Sequence, residues 1–224
     1  MSPLPGNLRI VDDVPSAFAA TVIDAFRDRK GARFSLVLSG GPTARACYER
    51  LAEAGAERID WRYVDILMGD ERCVPPDDED ANQRQVRAIL VERFEDLGSF
   101  HPMSCEEGPE VYQRLLERIG PLDLVHLGMG PDGHTASLFA GSPALDAPGD
   151  VLVMRSVDPA GVNPHERMTI TLPAIARARL ALITVAGKAK RDALARMIRG
   201  VDLPVANVRA EQVLWLVDTA AGML

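Results

Sequence analysis

Cysteine is scarce in this chain of 224 residues: Cys47, Cys73 and Cys105 are scattered and odd in number. No CxxC occurs, so neither a zinc finger nor a disulfide framework fits, and reduced thiols are expected. Cys73 sits in a charged stretch and is a candidate nucleophile, although no base is assigned to it. No apolar run approaches the length needed to span a bilayer. The N-terminal stretch MSPLPGNLRIVDD has neither a basic n-region nor an apolar h-region, so no secretion signal and a cytoplasmic location are expected. Positive charge is also short. The 25 Lys and Arg stand against 32 Asp and Glu, a net charge of -7, which argues against general nucleic-acid binding. A local basic cluster can still hold a small anion. GxSxG, GxxxxGK and HExxH are all missing, which excludes a serine elbow, a Walker A loop and a zincin site. No internal repeat, low-complexity segment or linker interrupts the chain. With 47% hydrophobic residues, one globular domain over 1–224 is expected.

What is present centres on Leu122 to Leu145, LDLVHLGMGPDGHTASLFAGSPAL. An apolar run suited to a buried strand ends in Gly128, Gly130 and Gly133, with Asp132 and His134 placed two residues apart. The short run after His134 is expected to start a helix. A carboxylate and an imidazole at the carboxyl end of a strand stand where open α/β sheets place their ligands. GMGPDG also reads formally as GxGxxG, with Asp158 near the distance expected of a dinucleotide site. Asp132 would set negative charge beside the pyrophosphate, and Gly141 and Pro143 cut the following helix short. The match also lies mid-chain, after two other strand-to-helix turns.

Strands and helices alternate along the chain. Leu8–Val11 reads as a first strand, at an edge. Asp13 can cap a helix whose Phe18, Val22, Ile23 and Phe26 recur at helical spacing. The strand Phe34–Leu38 runs into Ser39-Gly40-Gly41-Pro42-Thr43, a small-residue loop at a helix start that suits an anion. Trp61 to Met68 gives a third strand, followed by a loop Gly69–Arg72 and an acidic run, with Asn82 as the cap of the next helix. Pro109–Ile119 is an amphipathic helix. Strands are expected over Val151–Val157, Met168–Leu172, Leu180–Ala186 and Val213–Val217, and Gly187–Lys190 opens a helix. This alternation points to an α/β fold with a mostly parallel central sheet covered on both faces. Loops that follow parallel strands share one edge. Ser39–Thr43, Gly69–Arg72, Gly128–His134 and Gly187–Lys190 would then meet there. The site would combine a backbone anion cradle, the cations Arg72, Arg167 and Lys190, and the Asp132/His134 pair, a composition suited to proton transfer on a phosphorylated substrate.

LSGGPT, GDERCVPPDDEDAN, LGMGPDGHTASLF, ERMTITLP and VAGKAK, in this order from about Leu8 to Val217, resemble the successive motifs of the glucosamine-6-phosphate isomerase/6-phosphogluconolactonase family, on its lactonase branch. The resemblance implies a Rossmann-like three-layer α/β/α sandwich and a metal-free, cofactor-free hydrolase of the oxidative pentose phosphate pathway. Such an enzyme converts 6-phospho-D-glucono-1,5-lactone to 6-phospho-D-gluconate. The partner expected is that small phosphorylated sugar lactone, with no nucleic acid and no membrane, and the chain is expected as a monomer or weak homodimer. The resemblance makes His134 the general base and Asp132 its orienting acid. Gly40, Gly41, Thr43, Asp70, Gly130 and Arg72 belong to the substrate-holding positions, and Arg167 and Lys190 to the phosphate-binding ones. Lys190 rather than Lys188 fits the GxxK spacing. Ala81 and Ala140 depart from the serine and proline usual at their positions.

The deaminase branch shares the DGH loop but carries a glutamate five residues after the histidine, where this chain has Phe139. It also has tyrosine where Arg72 stands. A catalytically silent sugar-phosphate-binding protein is the other alternative, but binding phosphate alone needs neither His134 nor Asp132. His101, His126 and His165 have no role assigned, and His126 is expected to be packed and hydrogen-bonded within its strand.

Overall fold

The computed structural model describes residues 4–223, so the first three residues of the N-terminal stretch read for a secretion signal lie outside the described residues. In chain order the strands are β1 (Asn7–Val11), β2 (Phe34–Leu38), β3 (Val64–Met68), β4 (Asp70–Arg72), β5 (Ser99–His101), β6 (Leu122–Gly128), β7 (Val153–Ser156), β8 (Arg167–Ile170), β9 (Ala178–Val185) and β10 (Gln212–Asp218). The helices are α1 (Val14–Arg27), α2 (Pro42–Ala54), α3 (Asn82–Val86), α4 (Pro109–Ile119), α5 (Leu172–Ala176), α6 (Arg191–Ile198) and α7 (Thr219–Gly222).

Seven strands form the central sheet in the order β1-β10-β9-β6-β2-β3-β5. All its pairings are parallel, and helices flank it, as the alternation required. Its inner strands are apolar on both faces. Every residue of β2, FSLVL, is buried, as a strand covered from both sides must be. β1, at an edge, has no fully buried residue and leaves Ile10 half exposed. On α1, Asp13 accepts a hydrogen bond from Ser16 N at 3.2 Å. Its apolar stripe Phe18, Val22, Ile23 and Phe26 is buried, and the helix packs on α2, β6, β9 and β10. No helix among the described residues is long and apolar enough to cross a membrane.

Four expectations change. Residues 70–72 are not loop. They form β4, the edge of a second, antiparallel sheet in the order β4-β8-β7, because Asp70, Glu71 and Arg72 find backbone partners in Thr169, Met168 and Arg167. A strand this short shows no periodicity in sequence. The helix expected after His134 does not form. Residues 135–142 turn instead, with Ala136 at φ 47° and Gly141 at φ 77°, conformations incompatible with a continuing right-handed helix. Asn82 does not cap α3. It is the first helical residue, and the Glu71 carboxylate takes the N–H groups of Asn82 and Gln83 at 2.7 Å each. Burial pushes that carboxyl up to about 7, against the pull of its backbone donors.

The fourth change concerns the thiols. Cys73 and Cys105 form a disulfide with their Cα atoms 5.4 Å apart, so Cys73 is not a free nucleophile. The sheet explains the meeting. β3 pairs with β5, and the chain leaving each edge carries one cysteine. Cys47 stays free and buried on α2, where desolvation pushes its thiol up to about 12 and leaves it inert.

Candidate active site

β9, β6, β2 and β3 are neighbours in the central sheet, so the segments that follow them emerge side by side at its carboxyl edge. They enclose a cleft of about 210 Å³. Gly40, Gly41, Thr43, Asp70, Arg72, Gly130, His134, Arg167 and Lys190 all line it. Asp132 does not. Its carboxylate sits against Nδ1 of His134, outside the lining.

The His134 turn is built by its glycines. Gly133 has φ 91°, a left-handed conformation that other residues resist. A Cβ on Gly130 would overlap the His134 ring and the Asp132 carboxylate. Gly130 N donates to the His134 carbonyl at 2.8 Å and closes the turn. Within it, Nδ1 of His134 is 2.6 Å from Asp132 Oδ1, and the His134 N–H also donates to that oxygen at 3.2 Å. The hydrogen bond from His134 holds the Asp132 carboxyl down at about 2. A carboxylate accepts only, so Nδ1 carries the proton and Nε2 keeps its lone pair, the form a general base needs. Phe139, which is buried, packs against the His134 ring at 4.9 Å and under the Arg167 guanidinium at 5.6 Å.

The cations come from separate elements. Arg72 on β4 and Arg167 on β8 stand directly opposite each other across the small sheet. Arg72 is tied to Asp80 at 3.0 Å. Arg167, only 6% exposed, lies 3.9 Å from Asp70 and 3.5 Å from Ser137 Oγ, and Ser137 donates to Asp70 at 2.7 Å. Burial lowers the pKa of Arg167, with Asp70 opposing. The Nε groups of both arginines are buried without a partner among the described residues. Lys190, half-buried after β9, is lowered by desolvation, with Asp132 opposing. Lys188 is exposed and outside the cleft. Two fixed guanidiniums and an ammonium facing one cleft suit a phosphoryl group.

The small-residue loop supplies the other wall. Gly41, at φ 102°, is the N-cap residue of α2, so free N–H groups at the helix start turn toward the cleft. A Cβ on Gly40 would overlap the Asn82 side chain, whose Nδ2 donates to the Asp70 carbonyl at 3.1 Å. Asn82 is therefore part of the site, where the sequence offered it only as a cap. Ser39, the first residue of the loop, lines the cleft as well, and Asn163 and Thr184 line it unforeseen. Asn163 is held by Asp158, 2.8 Å from its Nδ2. Thr184 is a lone hydroxyl in the apolar run LALITV that ends β9.

The family model described as glucosamine-6-phosphate isomerases/6-phosphogluconolactonase matches residues 9–215. The chain belongs to this family. Among curated members, the 6-phosphogluconolactonase of Mycobacterium tuberculosis is 35% identical over 208 residues, covering 84% of this chain and 83% of that protein. The crystal structure of 6-phosphogluconolactonase from Thermotoga maritima superposes with a TM-score of 0.78 at 29% identity, covering 95% of this chain and 99% of the other. A monomeric glucosamine-6-phosphate deaminase superposes with a TM-score of 0.80, but at 17% identity the likeness is one of fold alone. The three-layer fold, with its parallel seven-stranded sheet flanked by helices, is therefore like that of the lactonase structure and of this deaminase alike.

Proposed function

We propose that the protein is a phosphate-anchored lactone hydrolase that converts 6-phospho-D-glucono-1,5-lactone to 6-phospho-D-gluconate. The observation that carries this reading is the Asp132–His134 pair, 2.6 Å apart, with Nε2 free in a cleft that also holds Arg72, Arg167 and Lys190. The 6-phosphoryl group is held by Arg167 and Lys190, with Arg72 beside them. The loop Gly40, Gly41, Thr43 and the backbone at Gly130 fix the ring, and Asp70 accepts from sugar hydroxyls. His134 Nε2 takes a proton from water as that water's oxygen bonds to the lactone carbonyl carbon. Asp132 stabilises the imidazolium that forms. Collapse breaks the bond from that carbon to the ring oxygen, and the imidazolium returns the proton to the departing oxygen. Anchoring the phosphate positions the carbonyl against the water.

Similarity to the named lactonases of Mycobacterium tuberculosis and Thermotoga maritima supports the substrate. Against the deaminase reading stands Phe139, a buried apolar ring beside His134 that can transfer no proton. The proposal takes residues 1–224 as one domain, acting in the cytoplasm as a monomer or weak homodimer.

The test is hydrolysis of freshly generated 6-phosphogluconolactone, with the spontaneous rate subtracted, for wild type and His134→Ala. Turnover should fall by roughly two to four orders of magnitude, the scale of a general base. A folded His134→Ala protein with undiminished kcat would remove His134 from its role. Ammonia release from glucosamine 6-phosphate by a wild type inert on the lactone would move the chain to the deaminase branch.

A further inference from the structure

His126 lies on the same strand as the catalytic turn, is fully buried and takes no part in the chemistry above. Its ring joins two other buried side chains. Nδ1 is 2.8 Å from Tyr48 Oη on α2, and Nε2 is 2.9 Å from Thr184 Oγ1 on β9. Tyr48 Oη in turn holds both backbone groups of one residue. It accepts from Ser39 N at 2.9 Å and lies 2.8 Å from the Ser39 carbonyl. Ser39 Oγ donates to the His126 carbonyl at 3.1 Å and closes the circuit. Phe18 of α1 seals the ring, with centroids 4.4 Å apart. The two ends of this chain of hydrogen bonds, Ser39 and Thr184, are both cleft residues.

Counting protons gives the network a direction. Burial pushes His126 down to about 3, so the ring is neutral and carries one proton. Tyr48 has a single hydroxyl proton, with the Ser39 carbonyl and His126 Nδ1 both in reach. If Tyr48 donated to the ring, the buried Ser39 carbonyl would lose that donor. If it donates to Ser39, the ring's proton sits on Nδ1 and goes to Tyr48 Oη. Nε2 then accepts from the Thr184 hydroxyl, and every polar group in the circuit is paired. Buried groups favour the fully paired arrangement. It commits the Thr184 proton inward and leaves the remaining capacity of Oγ1 as an acceptor. It also pins Ser39 at both its N–H and its carbonyl, immediately before Gly40, so the glycine loop starts from a fixed backbone.

We propose that Tyr48, His126 and Thr184 are positioning residues that fix the Ser39–Gly41 loop and present Thr184 Oγ1 to the cleft as an acceptor for a substrate hydroxyl. This rests on the lactonase reading. An apolar core would fill the same space, and buried polar groups are costly unless completely paired. The circuit is completely paired and ends at the cleft on both sides, which is what a positioning device needs and a packing device does not.

Tyr48→Phe and Thr184→Val each remove one hydroxyl and keep the shape of the side chain. Each should raise KM for 6-phosphogluconolactone about tenfold, the scale of one neutral hydrogen bond, with kcat within about threefold. Thr184→Ser should recover most of what Thr184→Val loses. A merely structural role would lower kcat and melting temperature with the folded fraction and leave KM alone, and that result in folded protein overturns the proposal. Should Tyr48→Phe fail to fold, Thr184→Val carries the test from the other end. Side-chain nitrogen NMR of His126 reads the network without turnover. A proton on Nδ1 supports it, and one on Nε2 overturns it. Absence of wild-type turnover would strike the lactonase reading, while the NMR result would still decide the hydrogen-bond direction.

Discussion

His126 and His134 share a strand and the turn that ends it, yet they sit in opposite surroundings. His126 is sealed among Tyr48, Thr184 and Phe18, with hydroxyls as its ring partners and burial holding its pKa down at about 3. His134 has its Nδ1 on the Asp132 carboxylate and a side chain 20% exposed at the cleft. The first is kept neutral near neutral pH by its burial, with both ring nitrogens already on hydroxyls. The second has a carboxylate on Nδ1 and its Nε2 open to the cleft. A carboxylate partner and access to the cleft, rather than residue type or place in the chain, are what the proposed base has and the proposed positioning residue lacks.

That contrast can be broken at Asp132. Asp132→Asn keeps the size of the side chain but can donate to Nδ1, which would put the proton on Nε2 and silence the base. We expect kcat to fall roughly 10- to 1000-fold, below the scale known for a buried aspartate in this role, and kinetics at saturating substrate would read it. An unchanged kcat would mean that His134 needs no partner. Arg167→Ala leaves both histidines in place and removes only a cation. KM should rise roughly 10- to 100-fold, the scale of a charged hydrogen bond, and the preference for phosphorylated over plain gluconolactone should shrink. A retained preference would take the phosphate from Arg167.

The smallest effect at neutral pH, and the most specific to His126, is acid sensitivity. Its folded pKa lies near 3 against an ordinary 6.5. Its contribution to stability is therefore complete above about pH 6.5 and is lost progressively as pH falls toward 3, where the unfolded chain takes up a proton that the folded chain refuses. Urea melts from pH 7 to pH 4 should lose stability less steeply in His126→Gln than in wild type. Parallel slopes would place the acid sensitivity elsewhere.

Much of this was legible in the sequence. The alternation of apolar runs with helical stripes gave the sheet, and the segments after β2, β3, β6 and β9 brought the glycine loop, Arg72, His134 and Lys190 together, while Arg167 arrives from β8, opposite Arg72. What stayed hidden depends on distant neighbours. β4 exists because Arg167–Thr169 lies across from it. Glu71 caps a helix that starts eleven residues later. The Cys73–Cys105 link needs the pairing of β3 with β5, and that pairing rests on a strand of only three residues. Thr184 gave no local signal, since a hydroxyl at the end of a buried strand looks the same whether or not it touches a cleft.

Arg72 and Arg167 face each other across the small sheet, and like charges directly opposite on paired strands weaken the pairing. Asp80 and Asp70 offset part of that repulsion. An anion seated between the two guanidiniums would offset the rest, and whatever binds only the folded chain also stabilises it. The phosphate of the substrate would then act as a removable strut for β4 and β8, so that affinity for the ligand and cohesion of the small sheet are two readings of one electrostatic quantity.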